Sequence, residues 1–256
     1  MNEAAFTNAV DWLANARSLV VFTGAGVSAE SGIPTFRDQL TGFWATFDPA
    51  QLATPTAFRN DPALVWGWYE WRRAQVAQAR PNAAHVAIAA LMQHVPEVVL
   101  VTQNVDDLHE RAGSKDVIHL HGSLHAARCF ACARRHTLAE CSSSKINSGP
   151  LEPPRCTHCN GKIRPGVVWF GEALPESALR TAFKSAQNTD LLLSVGASGV
   201  VYPAARIPEI AHEHGAHVVH INTEPGDRTG AITLMGRAGE WLPKLLHAAF
   251  NAGSGH

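Results

Sequence analysis

Apolar and polar positions fall into two periods along this chain. The opening stretch, MNEAAFTNAVDWLANARS, repeats its apolar residues at helical spacing and predicts an amphipathic helix. Five short runs then depart from that pattern, at residues 19–23, 98–102, 117–120, 191–195 and 217–221. They are rich in Val, Ile and Leu and do not alternate with polar residues, as expected of parallel strands covered on both faces. Helical patterns, such as residues 82–93 and 175–185, separate them. The order predicts an α/β fold with a Rossmann-like, doubly wound parallel sheet.

Two stretches interrupt this rhythm and read as insertions. Residues 39–80 are aromatic-rich and mostly helical in pattern, and residues 126–164 hold every cysteine and a polar loop. The predicted organisation is therefore a sheet domain of residues 1–38, 81–125 and 165–256, a helical insert of 39–80 and a cysteine-bearing insert of 126–164.

Each apolar run ends in a polar cluster. Gly24-Ala25-Gly26 follows the first and Gln103-Asn104-Val105-Asp106 the second. His121-Gly122 follows the third, Gly196-Ala197-Ser198 the fourth and Asn222-Thr223-Glu224 the fifth. Open parallel sheets bind ligands beyond the carboxyl ends of their strands, so these clusters are the candidate site. Residues 24–29 fit G-x-G-x-x-G/A directly after a strand, a pattern that lets backbone approach a pyrophosphate. A plain glycine turn satisfies the same pattern. No acidic residue ends a second strand about 20 residues on; a polar loop, residues 30–38, stands there instead. Hydride transfer is thus disfavoured against another use of a dinucleotide.

The five cysteines are Cys129, Cys132, Cys141, Cys156 and Cys159. Two C-x-x-C pairs lie 23 residues apart, a spacing suited to a zinc ribbon, and four thiolates leave no coordination position open for water. One structural zinc per chain on Cys129, Cys132, Cys156 and Cys159 is expected, with Cys141 spare. His121 can act as a general base at a strand end, but His119 shares its side of the strand, and position alone does not choose between them.

Hydrophobic residues make up 46% of the chain and charged residues 17%, with a formal net charge of −1. That composition excludes disorder and any global attraction to nucleic acid or anionic membrane. No apolar stretch reaches the roughly 18 residues of a membrane span. The N-terminus lacks the basic start and apolar run of a secretion signal, so a reducing, cytoplasmic setting is expected.

Several runs together resemble the signature motifs of the sirtuin family: residues 24–37, residues 102–106, His121-Gly122, the paired C-x-x-C and residues 168–172. Their order and spacing match over nearly the whole chain. The resemblance implies an NAD-consuming protein-lysine deacylase that releases nicotinamide and O-acyl-ADP-ribose. It implies that Gly24, Ala25, Gly26, Ser28 and Glu30 lie along the NAD pyrophosphate, with Phe36 and Arg37 covering the ribose. Gln103, Asn104, Val105 and Asp106 would orient the nicotinamide end, Asn104 and Asp106 as catalytic residues. Gly196, Ala197, Ser198, Asn222, Thr223, Glu224 and Ala238 would hold the adenosine end. It also selects His121 as the base. The acyl-lysine protein or peptide would pair as an added strand between Val168, Phe170, Gly171 and Glu172 on one side and residues 199–202 on the other. Residue 197 is Ala where many relatives carry Thr, which removes one hydroxyl from the NAD site.

Within the family, the chain resembles the bacterial and mitochondrial class that removes acidic acyl groups. Tyr69 and Arg72 match that class's Tyr-x-x-Arg pair, and Ala53 its small pocket residue. Residues i and i+3 share a helix face, and Arg with Tyr suits a succinyl or malonyl carboxylate. The residues alone favour instead a Tyr69 packed among Trp66, Trp68 and Trp71 with Arg72 in water; the resemblance reverses that preference. Two other readings use the same NAD site: mono-ADP-ribosyl transfer to protein, and a non-enzymatic NAD or ADP-ribose sensor. Oligomeric state is not legible.

Overall fold

A computed structural model describes residues 3–35, 42–138, 149–225 and 231–251. The chain runs α1 (Glu3–Asn15), β1 (Ser18–Thr23), α2 (Ala25–Ala29), a 3-10 turn (Gly42–Thr46), α3 (Pro49–Leu52), α4 (Pro55–Asn60), α5 (Pro62–Gln78) and α6 (Ala83–Leu91). It continues with β2 (Glu97–Thr102), α7 (Leu108–Arg111), β3 (Ile118–His119), β4 (Gly122–Cys129), β5 (Ile163–Val167), α8 (Glu176–Gln187) and β6 (Leu191–Val195). The last elements are α9 (Arg206–Glu213), β7 (His217–Asn222), β8 (Ile232–Met235) and α10 (Ala238–Phe250).

Six strands form one sheet in the order β3-β2-β1-β6-β7-β8, and every pairing in it is parallel. This is the Rossmann order, whose direction of travel reverses between β1 and β6. Successive residues of β1 face opposite layers. Leu19 and Val21 join Leu13, Ile88, Leu242 and Leu245 under α1, α6 and α10. Val20 and Phe22 join Ala182, Ala186, Ile207 and Ala211 under α8 and α9. Both faces are dry, which is why the strands carry no polar alternation. The sixth strand, β8, adds to the five runs read from sequence. It is a four-residue edge strand with one buried side chain, too short and too exposed to stand out as an apolar run. The run at 117–120 becomes strand only at Ile118 and His119, because it too sits at an edge.

A second core lies beside the sheet. Trp44, Phe58, Val65, Trp66, Trp68, Tyr69 and Trp71 pack against Leu124, Ala127, Ile163, Val167 and Trp169. Helix α5 and the antiparallel β4–β5 pair thus share one apolar interior. Buried residues surround α5 on all sides, so its sequence shows no single apolar stripe. Asp61 caps α5 by accepting from the Leu64 N–H at 2.9 Å. Gly67 lets the chain at Gly149–Leu151 cross the helix: a Cβ there would stand 2.3 Å from the Gly149 carbonyl oxygen. Among the described residues, no helix is long and apolar enough to cross a membrane.

Candidate functional site

The reversal between β1 and β6 brings the polar strand ends together. The Gly24 N–H donates to Val195 O at 3.0 Å, Gly26 N–H to Gly196 O at 3.0 Å, and Gly196 N–H to Ile221 O at 2.9 Å. A Cβ on Gly24 would lie 2.7 Å from the Ala197 Cα, and one on Gly26 2.8 Å from the Gly196 Cα. Gly196 itself has φ +59°, and a Cβ there would meet Val27 N at 2.5 Å. The glycines of the G-x-G pattern therefore serve a close contact between two strand ends. Asn222 ties in the next strand, its Nδ2 donating to Ala197 O at 3.0 Å.

Around this junction Ser28, Asn104 and Asp106 are buried and mutually bonded. Asn104 Nδ2 donates to Gly24 O at 3.1 Å and to Ser28 Oγ at 3.0 Å. Ser28 Oγ donates to Asp106 Oδ2 at 3.0 Å, and Leu108 N–H donates to Asp106 Oδ1 at 3.1 Å. Burial pushes the Asp106 carboxyl upward against those two donors. The Asn104 side-chain oxygen has no partner among the described residues and remains an acceptor.

The two histidines of the third strand end differ in their surroundings. His121 Nδ1 lies 2.9 Å from Gln103 O. That carbonyl can only accept, so Nδ1 carries the proton and Nε2 keeps its lone pair. Burial holds this imidazole below its ordinary range, the bond to Gln103 opposing. His119 is engaged at both nitrogens, Nδ1 with Asn104 O at 3.0 Å and Nε2 with Glu110 Oε1 at 2.7 Å. Of the pair, only His121 has a lone pair directed away from a protein acceptor.

Sequence reasoning missed a layer beneath these groups. The Asn104 N–H donates to Thr102 Oγ1 at 3.0 Å; the Thr102 and Thr23 hydroxyls are 2.8 Å apart; and Thr23 Oγ1 lies 3.0 Å from His109 Nε2. Asn82, at the α6 N-cap, donates to Val27 O at 2.8 Å and Ser31 Oγ at 2.9 Å. Asn82 stands just ahead of an apolar helical run, which signals a cap, but nothing local signals its reach to Val27. Glu30 accepts from the Gly239 N–H at 3.1 Å, at the start of α10. Ala238, beside it, is buried in the core on that face of the sheet. Ala25, Ser198, Thr223 and Glu224 are exposed at the strand ends, while Val105 packs partly buried against the second core. Phe36 and Arg37 lie outside the described residues.

The helical insert adds a second set. Trp169 Nε1 donates to the Tyr69 hydroxyl at 3.0 Å, and Phe170 N–H donates to Ala53 O at 2.9 Å. Ala53, Tyr69 and the 168–172 loop therefore meet. Tyr69 is buried, and burial raises its phenol to about 12 despite the nearby Arg72. Arg72 is half-buried, its guanidinium 5.3 Å from the Trp68 ring centroid. The loop itself is held from below by Arg164, another residue that sequence reasoning missed. Its guanidinium grips Glu172 at 2.5 and 2.9 Å and lies 3.4 Å from the Trp169 ring centroid. Glu172 also accepts from the Trp169 N–H at 2.9 Å, so its carboxylate braces the loop. Val168 N–H donates to His121 O at 2.8 Å, and Phe170 is exposed beyond Gly171, whose φ is +85°.

The four cysteine sulfurs of the predicted zinc set all lie within 4.8 Å of one another. Cys129 Sγ is 3.5 Å from Cys159 Sγ, and Cys132 Sγ is 3.8 Å from Cys156 Sγ. Tetrahedral zinc at its usual 2.3 Å from sulfur sets edges of about 3.8 Å, so the donor set fits the ion. Gly161 fits it too, since a Cβ there would crowd Cys129 Sγ at 3.0 Å and Cys159 Sγ at 3.3 Å. Backbone N–H groups of Cys159 and His158 lower the Cys156 thiol, toward the thiolate that binds metal, while at Cys159 the Gly161 N–H is outweighed by the crowded Cys132 and Cys129 sulfurs, which raise that thiol. Cys141 lies outside the described residues.

The Sir2 family profile matches residues 24–203, spanning the glycine junction, His121 and the four cysteines. The chain belongs to the Sir2 family. A curated relative from Pseudomonas aeruginosa, NAD-dependent protein deacylase 1, is 64% identical over 244 residues, covering 94% of this chain and 98% of the relative. A solved Sir2 homologue–NAD complex superposes with a TM-score of 0.88 at 43% identity, covering 96% of this chain and 94% of that one. A Sir2–p53 peptide–NAD+ structure aligns at a TM-score of 0.82 and 33% identity, covering 94% and 97%. This Sir2 chain therefore shares its fold over nearly its full length with proteins solved with NAD and with a peptide.

Proposed function

We propose that this Sir2-family chain is an NAD-dependent protein-lysine deacylase that prefers acidic acyl groups such as succinyl and malonyl. The deacylase reading rests on the family and on relatives of that name. NAD fits the junction of β1 and β6, where Gly24, Ala25, Gly26, Ser28, Gly196, Ala197 and Ser198 converge with Asn222, Thr223 and Glu224. When bound, NAD supplies the ribose carbon that accepts the acyl oxygen, with nicotinamide as leaving group. Asn104 presents its free amide oxygen toward that ligand, and Asp106 with Ser28 fixes the amide's orientation. Glu30 and Ala238 steady the α2–α10 contact behind the site. His121 Nε2 takes the proton that acyl transfer releases; held neutral by burial, it is ready near pH 7. The acyl-lysine strand lies along Val168, Phe170 and Gly171, opposite the exposed Val200, Val201 and Tyr202. Zinc on the four cysteines supplies folding energy and no chemistry.

The acidic-acyl preference is carried by one observation: Trp169 donates into the Tyr69 oxygen. The phenolic proton is then left to donate to a substrate carboxylate, beside the Arg72 cation. Burial lowers the Arg72 pKa, and a half-buried cation attracts a carboxylate more strongly than one fully in water. One peptide carrying acetyl-, succinyl- or malonyl-lysine, assayed by mass spectrometry with and without NAD, tests both levels. Arg72→Met is expected to lose acidic-acyl removal by about tenfold to a hundredfold while acetyl removal changes less. His121→Ala is expected to lose about 10²–10⁴ in turnover on every substrate. Equal loss across acyl groups in Arg72→Met would discard the preference and keep the deacylase.

A further inference from the structure

The two acceptors facing His119 are chemically decisive. Asn104 O is a carbonyl, and Glu110 Oε1 belongs to a carboxylate; neither has a proton to give. A neutral imidazole carries one N–H and can satisfy only one of them. We infer that His119 is an imidazolium donating from both ring nitrogens, and that it acts as a positioning residue which holds Asn104 for the NAD-dependent step. This rests on the assignment of Asn104 to the nicotinamide end of NAD.

Asn104 is otherwise held through its N–H by Thr102 Oγ1 and through its Nδ2 by Gly24 and Ser28. His119 supplies the remaining hold, on the carbonyl. The charged and titratable groups around His119 are Glu110 and His109 of α7 and Asp106 of the loop before it. Burial alone would lower the His119 pKa, but Glu110, the Asn104 carbonyl and Asp106 together raise it above 6.5. Glu110 responds in the opposite sense: burial is outweighed by the bond to His119, and its carboxyl stays ionised. His109 is neutral, lowered to about 3 by burial. When His119 loses a proton, the charge-assisted bond to Glu110 is the stronger and is kept. The proton leaves Nδ1, and two lone pairs then face each other across the Asn104 contact. Rising pH should therefore release Asn104, giving an alkaline limb that His121 does not cause.

The test compares kcat for nicotinamide release, with NAD and an acyl-lysine peptide, across pH 5.5–9.5 (about the range that brackets both histidines). Wild type, His119→Gln, His119→Phe and Asn104→Ala are compared. Wild type is expected to show an acid limb and an alkaline limb. His119→Gln retains a neutral donor for the carbonyl; it should lose about threefold near pH 7 and lose the alkaline limb altogether. His119→Phe, which keeps bulk without a donor, should lose about tenfold, as for one hydrogen bond. An alkaline limb unchanged in His119→Gln overturns the proposal. Should His119→Phe fail to fold, side-chain 15N NMR of the wild-type protein at pH 7 decides: both His119 nitrogens protonated supports it, one unprotonated overturns it. If Asn104→Ala keeps wild-type turnover, the Asn104 assignment fails instead, and no turnover by any form sinks the deacylase reading.

Discussion

At the scale of single residues, this site is governed by how many partners each group has. His119 and His121 stand two positions apart, yet one meets two acceptors and the other one. Position along the chain showed both only as strand-end histidines, because their partners lie elsewhere: Gln103 and Asn104 in the loop after β2 and Glu110 in α7. The glycines follow the same logic. Gly24 reads as a phosphate-loop glycine, but its missing side chain makes room for the Ala197 backbone. Gly24→Ala should therefore destabilise the fold itself, by about 1–3 kcal/mol as for other overpacked sites. Thermal unfolding without NAD measures this; an unchanged midpoint with weakened NAD binding would assign the glycine to the ligand alone.

Among the elements, α5 and the cysteine-bearing unit depend on each other. Trp68 and Tyr69 of α5 pack in one core with Ile163 and Val167 of β5 and with Cys129 and Cys156. The C-x-x-C spacing disclosed the metal ligands, since each pair is local. The aromatic content of residues 39–80 disclosed burial but not its partner, since that partner lies about a hundred residues away in the chain. Zinc binding of this kind contributes on the order of 10 kcal/mol. Cys156→Ala should thus lose the metal and, through the shared core, loosen α5 as well. Metal content by atomic absorption, with near-UV circular dichroism of the tryptophans, checks this; a zinc-free variant with wild-type tryptophan signals would separate the two units.

The whole molecule carries a pH dependence apart from its chemistry. His85 and His109 are buried, their rings 4.9 Å apart, and burial lowers them to about 4 and about 3. His85 Nδ1 accepts from the Asn82 N–H at 3.3 Å, and His109 Nδ1 has no partner among the described residues, so a second proton on either ring would lack an acceptor. The unfolded chain takes up protons near pH 6.5, well before the folded one does. The stability that these two histidines contribute is accordingly full above about pH 6.5 and falls as pH drops toward 4, where the unfolded state binds more protons. Unfolding midpoints in urea between pH 7.5 and 4.5 should decline (about one proton per histidine), and His85→Gln should flatten the decline. An equal slope in that variant would place the effect on the carboxylates instead.

The sequence by itself determined the parallel sheet, the four-cysteine cluster suited to zinc and the polar clusters at the strand ends. Each of these rests on short-range pattern: unbroken Val, Ile and Leu runs require two covered faces, and C-x-x-C places two sulfurs on one turn. The tertiary structure alone decided that β8 completes the sheet, that Trp169 orients the Tyr69 hydroxyl, that Arg164 braces the 168–172 loop and that His119 is gripped twice. Those outcomes depend on which distant segments the fold presses together, and a buried polar group takes its state from whatever acceptors and donors arrive there.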